Sequence, residues 1–154
     1  MPSWLTRLIA TGLWTGYSPT VPGTVGTVPA LVLVWFLFGL GIYLQIAATV
    51  ILFVVSVWFA GLAEEILGHD SKKIVIDEWA GMAVSAIFLP HTIGAYLVAF
   101  VAFRIFDVVK LPPAAQFENL PGGWGVTMDD IAAGVQANIL TWIVIAVVGK
   151  PLAM

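Results

Sequence analysis

Long apolar stretches broken by short polar ones set the rhythm of this chain. Residues 29–44, 46–67, 74–89, 92–109 and 131–149 hold few charges, and those they hold lie at one end of each stretch. Most approach the roughly 20 residues that a helix needs to cross a bilayer, and the first is short of that need. The pattern predicts an all-α, polytopic membrane helix bundle of about five transmembrane helices. Residues 1–11 add a short interfacial helix, with Trp4, Leu5, Leu8 and Ile9 on one face and Ser3, Thr6 and Arg7 elsewhere. Punctuation supports these limits. Pro29 stands near a first helical turn, where proline is tolerated, and Gly39, Gly41 and Gln45 allow a tight turn. Pro90-His91 stops the third stretch and Pro112-Pro113 the fourth. Residues 12–28, rich in Gly, Pro and Thr, and residues 111–130 read as loops.

Composition agrees. Only 10% of the residues are charged and 60% are hydrophobic, where a soluble domain carries about 25% charge. Mean hydropathy is +1.02. The length, 154 residues, suits a single domain over 1–154. A net charge of −3 implies no general attraction to nucleic acid. With no cysteine there is no disulfide, no thiolate metal site and no cysteine nucleophile. Arg7 lies near the start, but no uninterrupted apolar core precedes Gly12, so a cleaved signal peptide is not expected.

Threading five crossings through the chain puts all nine acids and five of the six basic residues on or near one membrane face, with Lys150 on the other. Lysine and arginine excess marks the cytoplasmic side, so the polar face is expected to be cytosolic. Ionisable groups beside apolar helices are functional candidates by default. Here Asp77-Glu78, Arg104, Asp107, Lys110 and Asp129-Asp130 converge from separate places in the sequence.

Each also has an ordinary reading. Acids opening a helix can cap free amides and complement the macrodipole, for about 0.3–1 kcal/mol. Neighbours on a helix point about 100° apart, so one acid of each pair can cap while the other faces a site. Arg104 and Asp107, three apart, can form an intrahelical ion pair, and Lys110 can snorkel to the interface. Against these readings, Asp107 lies between Phe106 and Val108, where an isolated carboxylate is hard to ionise without a cation. Glu64 and Glu65 can simply solvate a helix end. His69 and His91 stand alone, as structural or exposed residues. Trp79 and Trp124 read as interface anchors.

Carboxylates without cysteine or paired histidines favour a hard cation such as Mg²⁺. Mg²⁺ with nearby basic side chains is the apparatus of phosphoryl transfer. A site at the membrane face could take a lipid phosphate while its acyl chains stay in the bilayer. The alternative is a small divalent-cation transporter, whose acids would sit near the bilayer midplane, often in related halves of the chain.

Three segments carry a family resemblance: Ile76-Asp77-Glu78-Trp79-Ala80-Gly81-Met82, Phe103-Arg104-Ile105-Phe106-Asp107-Val108-Val109-Lys110, and the run from Gly122 through Asp129-Asp130 to Gly134. Together with Pro22-Gly23-Thr24-Val25-Gly26-Thr27 they resemble the phosphatidylglycerophosphatase A family, in the same order along most of the chain. Leu111-Pro112-Pro113 and Thr127-Met128 depart from the usual pattern without touching an acid. The resemblance implies Mg²⁺-dependent removal of the terminal phosphate from phosphatidylglycerophosphate at the bacterial inner membrane, with a phospholipid substrate. It implies metal ligation by Asp77, Asp107, Asp129 and Asp130, with Glu78 as a base or further ligand. Arg104 and Lys110 would hold phosphate oxygens, and Thr24, Gly26 and Thr27 would close over them.

Overall fold

Small residues line the inside of this molecule, and many of its large apolar ones face outward. Alanine supplies most of the buried apolar positions, whereas Phe36, Tyr43, Ile51, Trp58, Leu97 and Ile139 are exposed. Helices associate in lipid through such small-residue contacts, and an apolar exterior of this extent suits hydrocarbon rather than water. The molecule is a membrane protein.

The computed structural model describes residues 3–68 and 71–149, so His69 and Lys150 lie outside the described residues. Helix α1 spans Ser3–Ala10, α2 Pro22–Phe38, α3 Ile42–Leu67 and α4 Ile76–Ala86. Helix α5 spans Ile93–Val109, α6 Ala114–Phe117 and α7 Gly123–Val148, and a 3-10 turn at Thr15–Tyr17 links α1 to α2. No strand occurs among the described residues. The all-α expectation holds.

The centre is α4, packed on α2, α3, α5 and α7. Its residues Ile76, Glu78, Ala80, Gly81, Met82, Ala83, Ser85 and Ala86 are all buried, as a helix surrounded on every side requires. Contact with α7 is at backbone range. A Cβ on Gly134 would lie 2.5 Å from the Gly81 carbonyl oxygen, and one on Gly81 would lie 2.8 Å from that of Asp130. Buried Ser56 on α3 and Thr127 on α7 share a hydrogen bond of 2.8 Å.

Among the described residues two helices are long and apolar enough to cross a membrane, α3 and α7, with 26 residues each, about 39 Å at 1.5 Å per residue, so the count of about five is not confirmed. Helices α2 and α5 have 17 residues and α4 has 11, short of a hydrocarbon core about 30 Å thick. The reason α4 can stop early is legible in its partners. Asn138 Nδ2 on α7 donates to the carbonyls of Ser85 at 3.0 Å and Ile87 at 2.9 Å. Gln45 Oε1 accepts from the Phe88 amide at 3.0 Å, while its Nε2 donates to the Phe38 carbonyl at 3.3 Å. Backbone groups freed at a helix end inside an apolar surround need such partners.

Both glycine-rich segments differ from the loops expected. Helix α2 begins at Pro22, so Gly23 to Thr27 form its first turns and Pro29 lies inside the helix. Pro22 fits the first helical position because its missing amide hydrogen would have had no partner there. Helix α7 begins at Gly123, which places Asp129-Asp130 beyond the first turn and removes the capping explanation for them. The glycines serve close approach: a Cβ at Gly123 would collide with the Val57 carbonyl oxygen, and one at Gly23 with Glu78 Oε1. On α1 the buried residues are Thr6 and Ala10, and Trp4 is exposed. Trp79 is no interface anchor, because it packs against buried residues of the core. Trp124 is exposed, its ring 5.8 Å from that of Phe53. His91 stacks on Trp35.

Candidate active site

The starts of α2, α4 and α7 and the end of α5 meet around a cavity of about 630 Å³ at one end of the bundle. Helix α4 contributes Asp77 and Glu78 from its first turn. Helix α7 brings Asp129 and Asp130. Arg104 and Asp107 come from the last turns of α5, and Lys110, just past it, adopts a left-handed conformation with φ 48°. All seven line the cavity, as does Thr24. Among the described residues Ser71, Lys72 and Glu118 line it as well.

Three of the acids form the tightest group. One carboxylate oxygen from each of Asp77, Glu78 and Asp130 lies within 4.8 Å of the other two. Glu78 and Asp130 are only 8% and 3% exposed. Glu78 Oε2 and Asp130 Oδ2 are buried with no hydrogen-bond partner. Leaving such oxygens bare costs several kcal/mol each if they are ionised. The donor set fits a small hard cation, which takes carboxylate oxygens at about 2.0–2.1 Å and completes its shell with water.

The other two acids hold the cations of the site. Asp107 Oδ2 pairs with Arg104 at 2.9 Å, and Arg104 also reaches Glu78 Oε1 at 3.5 Å. Arg104 donates to Thr27 Oγ1 at 3.4 Å, and that hydroxyl donates to the Gly23 carbonyl at 2.7 Å. Asp129 Oδ2 accepts from Lys110 at 2.9 Å, while its Oδ1 accepts from the Asp130 amide at 3.0 Å. Glu118 is a second partner of Lys110. Partial burial works against the charge on Lys110, but hydrogen bonds to Asp129 and Glu118 prevail and raise its pKa above the usual lysine value. Lys110 therefore stays an ammonium ion at neutral pH. Asp107 interacts electrostatically with Asp77, Asp129 and Asp130. Six carboxylates thus line a cavity with three cations, Lys72, Arg104 and Lys110, an imbalance that a divalent ion would relieve.

Of the residues singled out in the sequence, Asp77, Glu78, Arg104, Asp107, Lys110, Asp129, Asp130 and Thr24 are brought together. Gly26 is not at the cavity, because it packs against the Val75 side chain. Thr27 is fully buried and reaches the site only through Arg104. Sequence reasoning passed over Gly23, whose missing side chain admits Glu78 and Arg104, and Glu118. Glu118 carried a visible signal, a lone acid in an otherwise uncharged connection eight residues after Lys110.

Comparison with known proteins bears on this arrangement. The family model described as phosphatidylglycerophosphatase A matches residues 8–145. The chain belongs to the phosphatidylglycerophosphatase A family. It is an enzyme, a phosphatase. A phosphatidylglycerophosphatase A from Escherichia coli is 38% identical over 89% of this chain and 82% of its own length. One from Haemophilus influenzae is 31% identical over 88% and 86%. A Bacteroides thetaiotaomicron protein, provisionally named a phosphatidylinositol-3-phosphatase, is 38% identical over 96% and 98%. No solved structure matches the chain. The segments that resembled the family in sequence are those whose residues meet at the cavity.

Proposed function

We propose that the protein is a Mg²⁺-dependent phosphatidylglycerophosphatase, hydrolysing the terminal phosphomonoester of phosphatidylglycerophosphate to phosphatidylglycerol and phosphate at the cytosolic face of a bacterial inner membrane. The observation that carries this reading is the trio Asp77, Glu78 and Asp130, with its bare buried oxygens, set beside Arg104 and Lys110. Two of the relatives are named for that activity, and the family model shares the name.

Asp77, Glu78 and Asp130 would hold the ion, and Asp107 and Asp129, which line the same cavity, would bind it directly or through water. When bound, Mg²⁺ supplies positive charge to phosphoryl oxygens and makes water easier to deprotonate. Arg104 and Lys110 neutralise the phosphate, each steadied by its own aspartate so that little reorganisation is needed as charge develops. Thr24 adds a hydroxyl at the rim. Water attacks phosphorus in line, a carboxylate of the Glu78 group accepts its proton, the bond to the glycerol oxygen breaks, and that oxygen takes up a proton. Radiolabelled phosphate trapped on the protein during turnover would instead establish an aspartyl-phosphate step.

The acids stand at one end of the bundle, and no observation favours the cation-transporter alternative. The Bacteroides relative's name raises a different head group with the same phosphomonoester chemistry. Purified protein is expected to release phosphate from phosphatidylglycerophosphate, to stop when the metal is chelated, and to resume with Mg²⁺. Faster release from phosphatidylinositol 3-phosphate would reassign the substrate, and release indifferent to chelation would remove the metal.

A further inference from the structure

Helices α2 and α5 run antiparallel and meet near the site, where Arg104 donates to Thr27. Elsewhere they touch only sparsely, each packing more closely on α4. Residues three and four apart share a helix face. On α2, one such face carries Thr24, Val28, Leu31, Val32 and Trp35; on α5, another carries Ile93, Leu97, Val101, Arg104 and Val108. The upper members of both stripes, Thr24, Arg104 and Val108, line the polar cavity. The lower members line a separate groove of about 220 Å³, built from Leu31, Val32, Trp35, Ile93, Leu97 and the Tyr96 ring.

The groove is open to the bilayer, because Val32, Ile93 and Leu97 are exposed. Its far wall is stiff: Trp35 stacks on His91 at 4.0 Å and meets Tyr96 edge-on at 5.1 Å. Counting residues from Thr27 and from Arg104 places it roughly 6–16 Å below the phosphate end at 1.5 Å per residue. One leaflet of hydrocarbon is about 15 Å deep. We infer that the seam between α2 and α5 is the track on which an acyl chain of the substrate lies while its phosphate occupies the acidic cavity, a reading that rests on the lipid-phosphatase function proposed above. The continuity of the two stripes with the cavity, and the match in depth, single out the substrate's own chain as the occupant.

The test uses the full-length protein in mixed micelles. Phosphatidylglycerophosphate with a diazirine near the end of one acyl chain is expected to label residues 31–36 and 93–97 above all other lipid-facing segments. Phosphatidylcholine carrying the same probe should label them no more than the outer face of α3. Equal labelling by both lipids, or labelling spread over all helices, would make the seam ordinary lipid-facing surface and overturn the track. Kinetics give a second measure. Leu97→Trp should lower kcat/KM for the dipalmitoyl substrate about tenfold more than for the dihexanoyl one, the loss of roughly two buried methylenes. Val50→Trp, on the exposed face of α3, should change both by the same factor. Identical losses for Leu97→Trp also overturn the track. A wild-type protein that releases no phosphate from either chain length defeats the functional reading, whereas the labelling pattern still decides on the seam.

Discussion

The two ends of the bundle use polar groups in opposite ways. At the far end most are matched to a backbone group that needs them: Asn138 serves two carbonyls beside α4, Gln45 bridges Phe88 and Phe38, and the His91 ring contacts the Trp35 carbonyl, the buried Tyr96 hydroxyl being the exception. At the cavity end, acids exceed the cations beside them, and two buried oxygens have no protein partner. Matched polar groups hold a fold together. Unmatched buried ones are costly and signal a ligand to come.

The sharpest way to break this contrast is to neutralise the acids. Asp130→Asn, Asp77→Asn or Asp107→Asn is expected to lower turnover by about three orders of magnitude or more. Unfolding midpoints of Asp130→Asn and Asp77→Asn should stay near wild type or rise, because a buried charge is removed, whereas that of Asp107→Asn should fall, because Arg104 loses its partner at 2.9 Å. Activity close to normal in all three would end the metal-site proposal. Next in size, Lys110→Ala should lower kcat/KM for the lipid about a hundredfold, as expected for loss of one preorganised charge on the phosphoryl group. An unchanged kcat/KM would exclude that role.

At the other end the effects should fall on stability instead. Asn138→Ala leaves two carbonyls short of a donor, so unfolding in detergent should show a loss of about 1–3 kcal/mol with kcat/KM for the lipid retained. A large catalytic defect with unchanged stability would erase the distinction between the ends. Smallest of all, His91→Ala removes the ring stacked on Trp35 and should cost about 0.5–1.5 kcal/mol, read in the same unfolding assay.

Much of this was legible in the sequence, for reasons that differ between regions. Charges are so rare in this chain that those remaining had to be placed, and Asp77, Glu78, Arg104, Asp107, Lys110, Asp129 and Asp130 do share one cavity. Helix α5 follows its apolar run closely, from the Thr92 cap, whose hydroxyl accepts from the Ala95 amide, to the last turn before Lys110. The glycine-rich segments misled because glycine has two uses. Read alone, Gly23, Gly26 and Gly123 signal loops, but in three dimensions each is a helical position pressed against a neighbour. The five-span count is not confirmed, because hydropathy cannot see a helix end inside an apolar run. That end depends on Gln45 and Asn138, single polar residues far away in the chain. Asp77, Glu78 and Asp130 were all named from sequence, but which acid of each pair faces the cavity follows from helix rotation, set by packing on α4.

The glycine pair at 81 and 134 sets a dimension of the site. With backbone against backbone, α4 and α7 can come no nearer, so their separation is a gauge cut by residues without functional groups. Asp77 stands on one jaw of that calliper and Asp130 on the other. A single methyl at either glycine must open the jaws, and the reach between the two acids would widen with no acid altered.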